Sequence, residues 1–181
     1  MLKIALLGIG NMGKNHLRIL SMLKGVEICS IFDVNESELK KLSAQYNVPY
    51  TLNMDEAIEG VDAVLIVTST STHFDYFSKC VGKVKNIFVE KPLATTYEDA
   101  CLMEELACKH QTFVQCGFIE RFNPVVSALK NVLSEREVIN MDFTRTNRLS
   151  SRISDVDVVL DLMIHDLDLA LFFNGPVKNV V

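Results

Sequence analysis

Residues 2–13 read LKIALLGIGNMG, a short apolar run that passes directly into Gly8-x-Gly10-x-x-Gly13. Few features constrain a chain more. A glycine turn between a buried strand and a helix lets backbone N–H groups approach a pyrophosphate closely, because no Cβ intervenes. The helix that follows aims its positive N-terminal end at the same anion. On this reading Gly8, Gly10, Asn11, Met12 and Gly13 form a dinucleotide cradle. The second apolar run, VEICSIFD, ends at Asp33, where a carboxylate would accept the two adenosine ribose hydroxyls. That charge would repel a 2′-phosphate, and no arginine follows in VNESELKK, so NAD is expected in preference to NADP.

Apolar runs and amphipathic segments alternate from there on, which predicts a doubly wound parallel sheet of six strands. The expected strands are 2–7, 26–32, 49–51, 63–67, 86–89 and 112–116. The expected helices begin near 11 and cover 36–46, 55–59, 73–81 and 97–110. Asn35 is a candidate N-cap for the second helix. The pattern changes after Gly117. A helix over 125–133, an alternating strand-like stretch over 138–145 and a segment 155–160 lead to a last helix over 161–173, which Gly175 and Pro176 terminate. Residues 177–181 read as the start of another strand. The division expected is 1–118 for a dinucleotide-binding domain and 119–181 for the first part of an α+β domain.

A net charge of −5 and the absence of a basic run argue against nucleic acid as partner. No stretch approaches the roughly 18 uncharged apolar residues of a membrane span. The five cysteines, Cys29, Cys80, Cys101, Cys108 and Cys116, show no CxxC spacing. They read as buried thiols of a reducing, cytoplasmic compartment, with no metal site.

Three further groups carry candidate chemistry. Thr68, Ser69, Thr70 and His73 lie in TSTSTH after the fourth strand, at the sheet edge where open α/β folds bind ligands. Glu90-Lys91-Pro92 follows the fifth strand at that same edge. Pro92 biases Lys91 toward an extended backbone, which aims its ammonium group at a ligand. Asp161 and His165 are spaced to share one helix face, with Asp168 a turn further on. A carboxylate beside an imidazole orients the ring and raises its basicity, as a general base requires.

Together, GIGNMG, Asp33, TSTSTH, EKP and DLMIHDLD resemble the glucose–fructose oxidoreductase/inositol dehydrogenase (Gfo/Idh/MocA) family along essentially the whole chain. The resemblance implies a Rossmann domain and an oxidoreductase that moves hydride between NAD and a secondary hydroxyl of a sugar, nucleotide sugar or cyclitol. It assigns Lys91 to the reacting oxygen, His165 to its proton and Asp161 to orienting the base. GFIERFNPVV (117–126) looks like bacterial members that oxidise the 3-hydroxyl of UDP-N-acetylglucosamine. By that likeness Arg121 and Asn123 lie near the substrate, and Arg145 or Arg148 meets its diphosphate, for which a planar guanidinium is suited. Family members carry a complete second domain that builds the substrate cleft and, usually, a homo-oligomer interface. This sequence holds only its beginning, so the chain is expected to be C-terminally truncated. A non-catalytic dinucleotide-binding module, or the remnant of an interrupted dehydrogenase gene, is the alternative reading.

Overall fold

Six parallel strands form one sheet in the order β3-β2-β1-β4-β5-β6, built from β1 (Leu2–Leu7), β2 (Val26–Phe32), β3 (Tyr50–Thr51), β4 (Ala63–Ile66), β5 (Asn86–Val89) and β6 (Phe113–Cys116). The structure is a computed structural model in which residues 1–133, 136, 138–146 and 157–179 are described. The chain divides into two compact units, Met1–Gly117 and Phe118–Val181.

The first unit is the doubly wound sheet expected from the sequence. Its helices are α1 (Asn11–Leu20), α2 (Glu36–Tyr46), α3 (Met54–Ala57), α4 (His73–Cys80) and α5 (Tyr97–His110). Leu6, Leu17, Ile31 and Leu39 pack in one cluster, and Leu7, Ile66, Phe77 and Ile87 in another. Each such side chain, taken fully out of water, contributes about 1.5–3 kcal/mol. Local signals set the helix ends. Asn35 accepts the Glu38 N–H at 3.2 Å, Asn53 that of Asp55 at 3.0 Å, and Thr96 that of Asp99 at 3.1 Å.

Strand order reverses between β1 and β4, which both run in parallel beside each other. Every strand therefore delivers its C-terminal residue to one edge. Gly8, Asp33, Val67-Thr68, Glu90 and Gly117 all arrive there.

The cysteine reading needs correction. Only Cys80 is buried; Cys108 is exposed, and Cys29, Cys101 and Cys116 are half-buried. Burial pushes the Cys80 thiol up to about 12, since a thiolate there would lose its hydration.

The second unit contains a short 3-10 turn (Ile119–Phe122), α6 (Pro124–Leu133), a π-helical turn (Val159–Met163) and α7 (Ile164–Asn174). Residues 138–146, expected to include a strand, are irregular. Ile139 is 97% exposed, and no described strand lies in this unit to pair their backbone groups. The segment expected at 155–160 is helical from Val158 onward, while its first two residues lie outside the described ones. Asp161 thus sits within a helical turn rather than at its start. Gly175, at φ +78°, ends α7, where a side chain would be strained. Residues 177–179 are irregular, and the rest of the expected final strand lies outside the described residues.

Candidate functional site

The glycine turn of the first unit is shaped by two close approaches and one opening. A Cβ on Gly8, whose φ is +93°, would lie 2.5 Å from the Val67 carbonyl oxygen. A Cβ on Gly13 would lie 2.1 Å from the Gly8 oxygen, so these glycines let the turn fold against β4 and against itself. Gly10 differs: its missing Cβ would meet no protein atom within 4 Å. It opens the cradle at the N-terminus of α1, which carries no side-chain cap and no acidic residue in its first turn. An uncapped, unopposed helix start beside open space suits an anionic ligand. Asn11 and Met12 are exposed on that first turn.

Asp33 is fixed by the turn it serves. Its Oδ2 accepts the Ile9 N–H at 2.9 Å and its Oδ1 the Asn35 N–H at 2.9 Å. Each carboxylate oxygen has room for a further donor, so two ribose hydroxyls remain within its capacity. The residues present therefore fit a dinucleotide.

The loop after β4 is braced internally. Thr72 Oγ1 bonds Thr68 Oγ1 and the Ser69 carbonyl, each at 2.8 Å. Ser69 is exposed and Thr70 half-buried, so both remain at the edge. His73, a candidate at this ligand-binding edge, is buried. It is 1% exposed, with Nδ1 2.9 Å from the Pro92 oxygen and Nε2 3.1 Å from the Thr68 oxygen. Its ring ties the loop after β4 to the loop after β5.

Glu90 likewise faces protein. Its Oε1 lies 2.7 Å from His16 Nε2, and its Oε2 accepts the Lys91 N–H at 3.1 Å. Gly117 makes room for it, since a Cβ there would stand 2.8 Å from Oε2. His16 also meets Phe88 edge-on, ring centroids 5.3 Å apart. His16 went unnoticed in the sequence, where nothing relates it to a carboxylate 74 positions away. Lys91, half-buried, follows Glu90 directly and precedes Pro92 through a cis bond.

In the second unit, Asp161 and His165 are half-buried, one in the π-helical turn and the other in the first turn of α7. The arginines expected to meet substrate are engaged within the unit. Arg121 Nε donates to Asp168 Oδ2 at 2.8 Å and its Nη2 to Oδ1 at 2.5 Å. Arg145 Nη2 donates to Asp166 Oδ1 at 2.8 Å, and its Nη1 to Glu120 Oε1 at 3.3 Å. Bonding to Asp166 first, and also to Glu120, holds the Arg145 guanidinium above its ordinary range despite some desolvation. Asn123 caps α6, its Oδ1 accepting the Val125 N–H at 3.0 Å ahead of Pro124. Arg121, Asn123 and Arg145, the residues expected near substrate, are thus bonded within the unit, while Arg148 lies outside the described residues.

Comparison with known proteins agrees with the glycine turn and sheet order. A family model described as "Oxidoreductase family, NAD-binding Rossmann fold" matches residues 2–118. The chain belongs to the Gfo/Idh/MocA family. Among its relatives in that family is UDP-N-acetylglucosamine 3-dehydrogenase of Acidithiobacillus ferrooxidans, 28% identical over 174 residues, covering 96% of this chain and 55% of that protein. Inositol 2-dehydrogenase of Acidothermus cellulolyticus is 28% identical over 188 residues, covering 98% of this chain and 55% of the relative. The solved structure of the Acidithiobacillus ferrooxidans enzyme superposes with TM-score 0.82 at 27% identity, over 98% of this chain and 58% of that one. Scyllo-inositol dehydrogenase of Lactobacillus casei, solved with bound NAD(H) and scyllo-inositol, shares the fold at TM-score 0.82 and 21% identity, over 97% and 56%. The chain spans about half the length of the curated relatives it matches. No helix among the described residues is long and apolar enough to cross a membrane.

Proposed function

We propose that this chain supplies the cofactor domain and catalytic helix of an NAD-dependent dehydrogenase acting on a secondary hydroxyl of a sugar or nucleotide sugar, in the cytoplasm. The observation that carries the reading is the opening at Gly10 beside an uncapped α1, with Asp33 bonded across the same turn. NAD, when bound, would accept the hydride. Lys91, at the C-terminal edge of the sheet, would hold the reacting oxygen with its ammonium group. His165 would take the hydroxyl proton, and Asp161 would orient the ring and favour its charged form. UDP-N-acetylglucosamine, oxidised at its 3-hydroxyl, is the favoured substrate, on the likeness of residues 117–126 and of a relative, UDP-N-acetylglucosamine 3-dehydrogenase, that aligns along 96% of the chain.

Titration with NADH and NADPH, followed by nucleotide fluorescence, tests the cofactor half. NADH should bind more tightly than NADPH, and Asp33→Arg should reverse the order through a change of at least about tenfold, or roughly 1.4 kcal/mol. An unchanged preference would sink the assignment of Asp33. Turnover with UDP-N-acetylglucosamine and with inositols tests the rest: His165→Ala should abolish it while leaving NADH affinity intact. An active His165→Ala chain would remove His165 as the base.

A further inference from the structure

Beyond the ribose acid and the proposed base, the second unit contains a clasp that no catalytic assignment explains. Asp168 is 5% exposed, and a carboxylate that deep is stable only if paired. Its partner is Arg121, whose fork engages both oxygens and so fixes direction as well as distance. The guanidinium carbon also lies 5.2 Å from the Phe172 ring centroid and 5.5 Å from that of Phe118. Asp168 and Phe172 stand one turn apart on α7. A single planar group thus grips that helix at two successive turns, which restrains both its rotation and its sliding. Arg145 holds Asp166 two positions earlier, about 200° around the helix at 100° per residue. His165 directly precedes Asp166 and lies three residues before Asp168.

We infer that Arg121 is a positioning residue: through its bidentate grip on Asp168 and its stacking on Phe172, it sets the rotation of α7 and with it the presentation of His165. The inference rests on the proposed role of His165 for its functional meaning, although the clasp itself does not. Arginine is required rather than any cation. Lysine would keep the charge but would lose the two-oxygen fork and the flat stack.

The chain has four histidines, which makes ring NMR a direct readout. In the 181-residue chain, His165→Gln identifies the His165 signal by its loss. Arg121→Lys and Asp168→Asn should each displace and broaden that signal, leaving those of His16, His73 and His110 in place. The double variant should displace it no further than the larger single change, because both act through one contact. A His165 signal unmoved in both folded single variants would overturn the inference. So would equal movement of all four signals, which would make the pair a general support of the fold. The measurement needs no substrate, so absent turnover would count against the dehydrogenase reading and not against the clasp.

Discussion

The two units hold themselves together by different means. Met1–Gly117 buries aliphatic and aromatic side chains on both faces of a sheet, with Leu6, Leu7, Leu17, Ile31, Ile66 and Phe77 all at 0% exposure. In Phe118–Val181 the only buried hydrophobics among the described residues are Val126 and Leu169. Ile119, Phe122, Val125 and Val158 all stand more than 60% exposed, and two arginines bond three carboxylates within the unit. Burial is non-directional and tolerates sliding; a bidentate ion pair is directional and does not. The cofactor scaffold therefore relies on bulk packing, while the helix carrying His165 is held by a few aimed contacts.

This contrast can be broken by experiment. The largest effect belongs to the first unit's core: Phe77→Ala should cost about 3–5 kcal/mol in denaturant unfolding, through lost burial and a residual cavity. A loss below 1 kcal/mol would mean that the sheet is less autonomous than its packing indicates. Asp168→Asn should cost less, about 1–3 kcal/mol, since it weakens a pair whose arginine is 39% exposed and can recover water. If it matched Phe77→Ala, the clasp would rank with the core as a source of stability. Ile139→Ser, at a nearly fully exposed position, should stay within about 0.5 kcal/mol in the same measurement. A clear destabilisation there would reveal burial of the irregular segment in solution.

Much of the first unit could be read before any coordinates. Strand β5 and helix α5 begin and end at the residues expected, and Asn35 caps α2 as its position suggested. Such features depend on periodicity and on bonds three residues long, which sequence displays directly. The alternating stretch at 138–145 misled for the complementary reason. Alternation says which way side chains point if a partner strand exists, and none is present among the described residues of that unit.

Side-chain assignments divided along the same line. The glycine turn was legible because close backbone approaches demand glycine at Gly8 and Gly13, while Gly10 and Asp33 stand at the spacing expected of a dinucleotide turn. His73, Glu90, Arg121 and Arg145 were recognisable as chemically able groups, but each bonds a partner 19 or more positions away. Only the tertiary structure decided that His73 would be sealed between two loops, that Glu90 would face His16, and that two arginines would bond carboxylates of α7. Sequence by itself determined where the chain turns, coils and presents backbone amides, since those depend on neighbours along the chain. The folded arrangement chose each charged group's partner, because that choice depends on which groups meet once the core has brought them together.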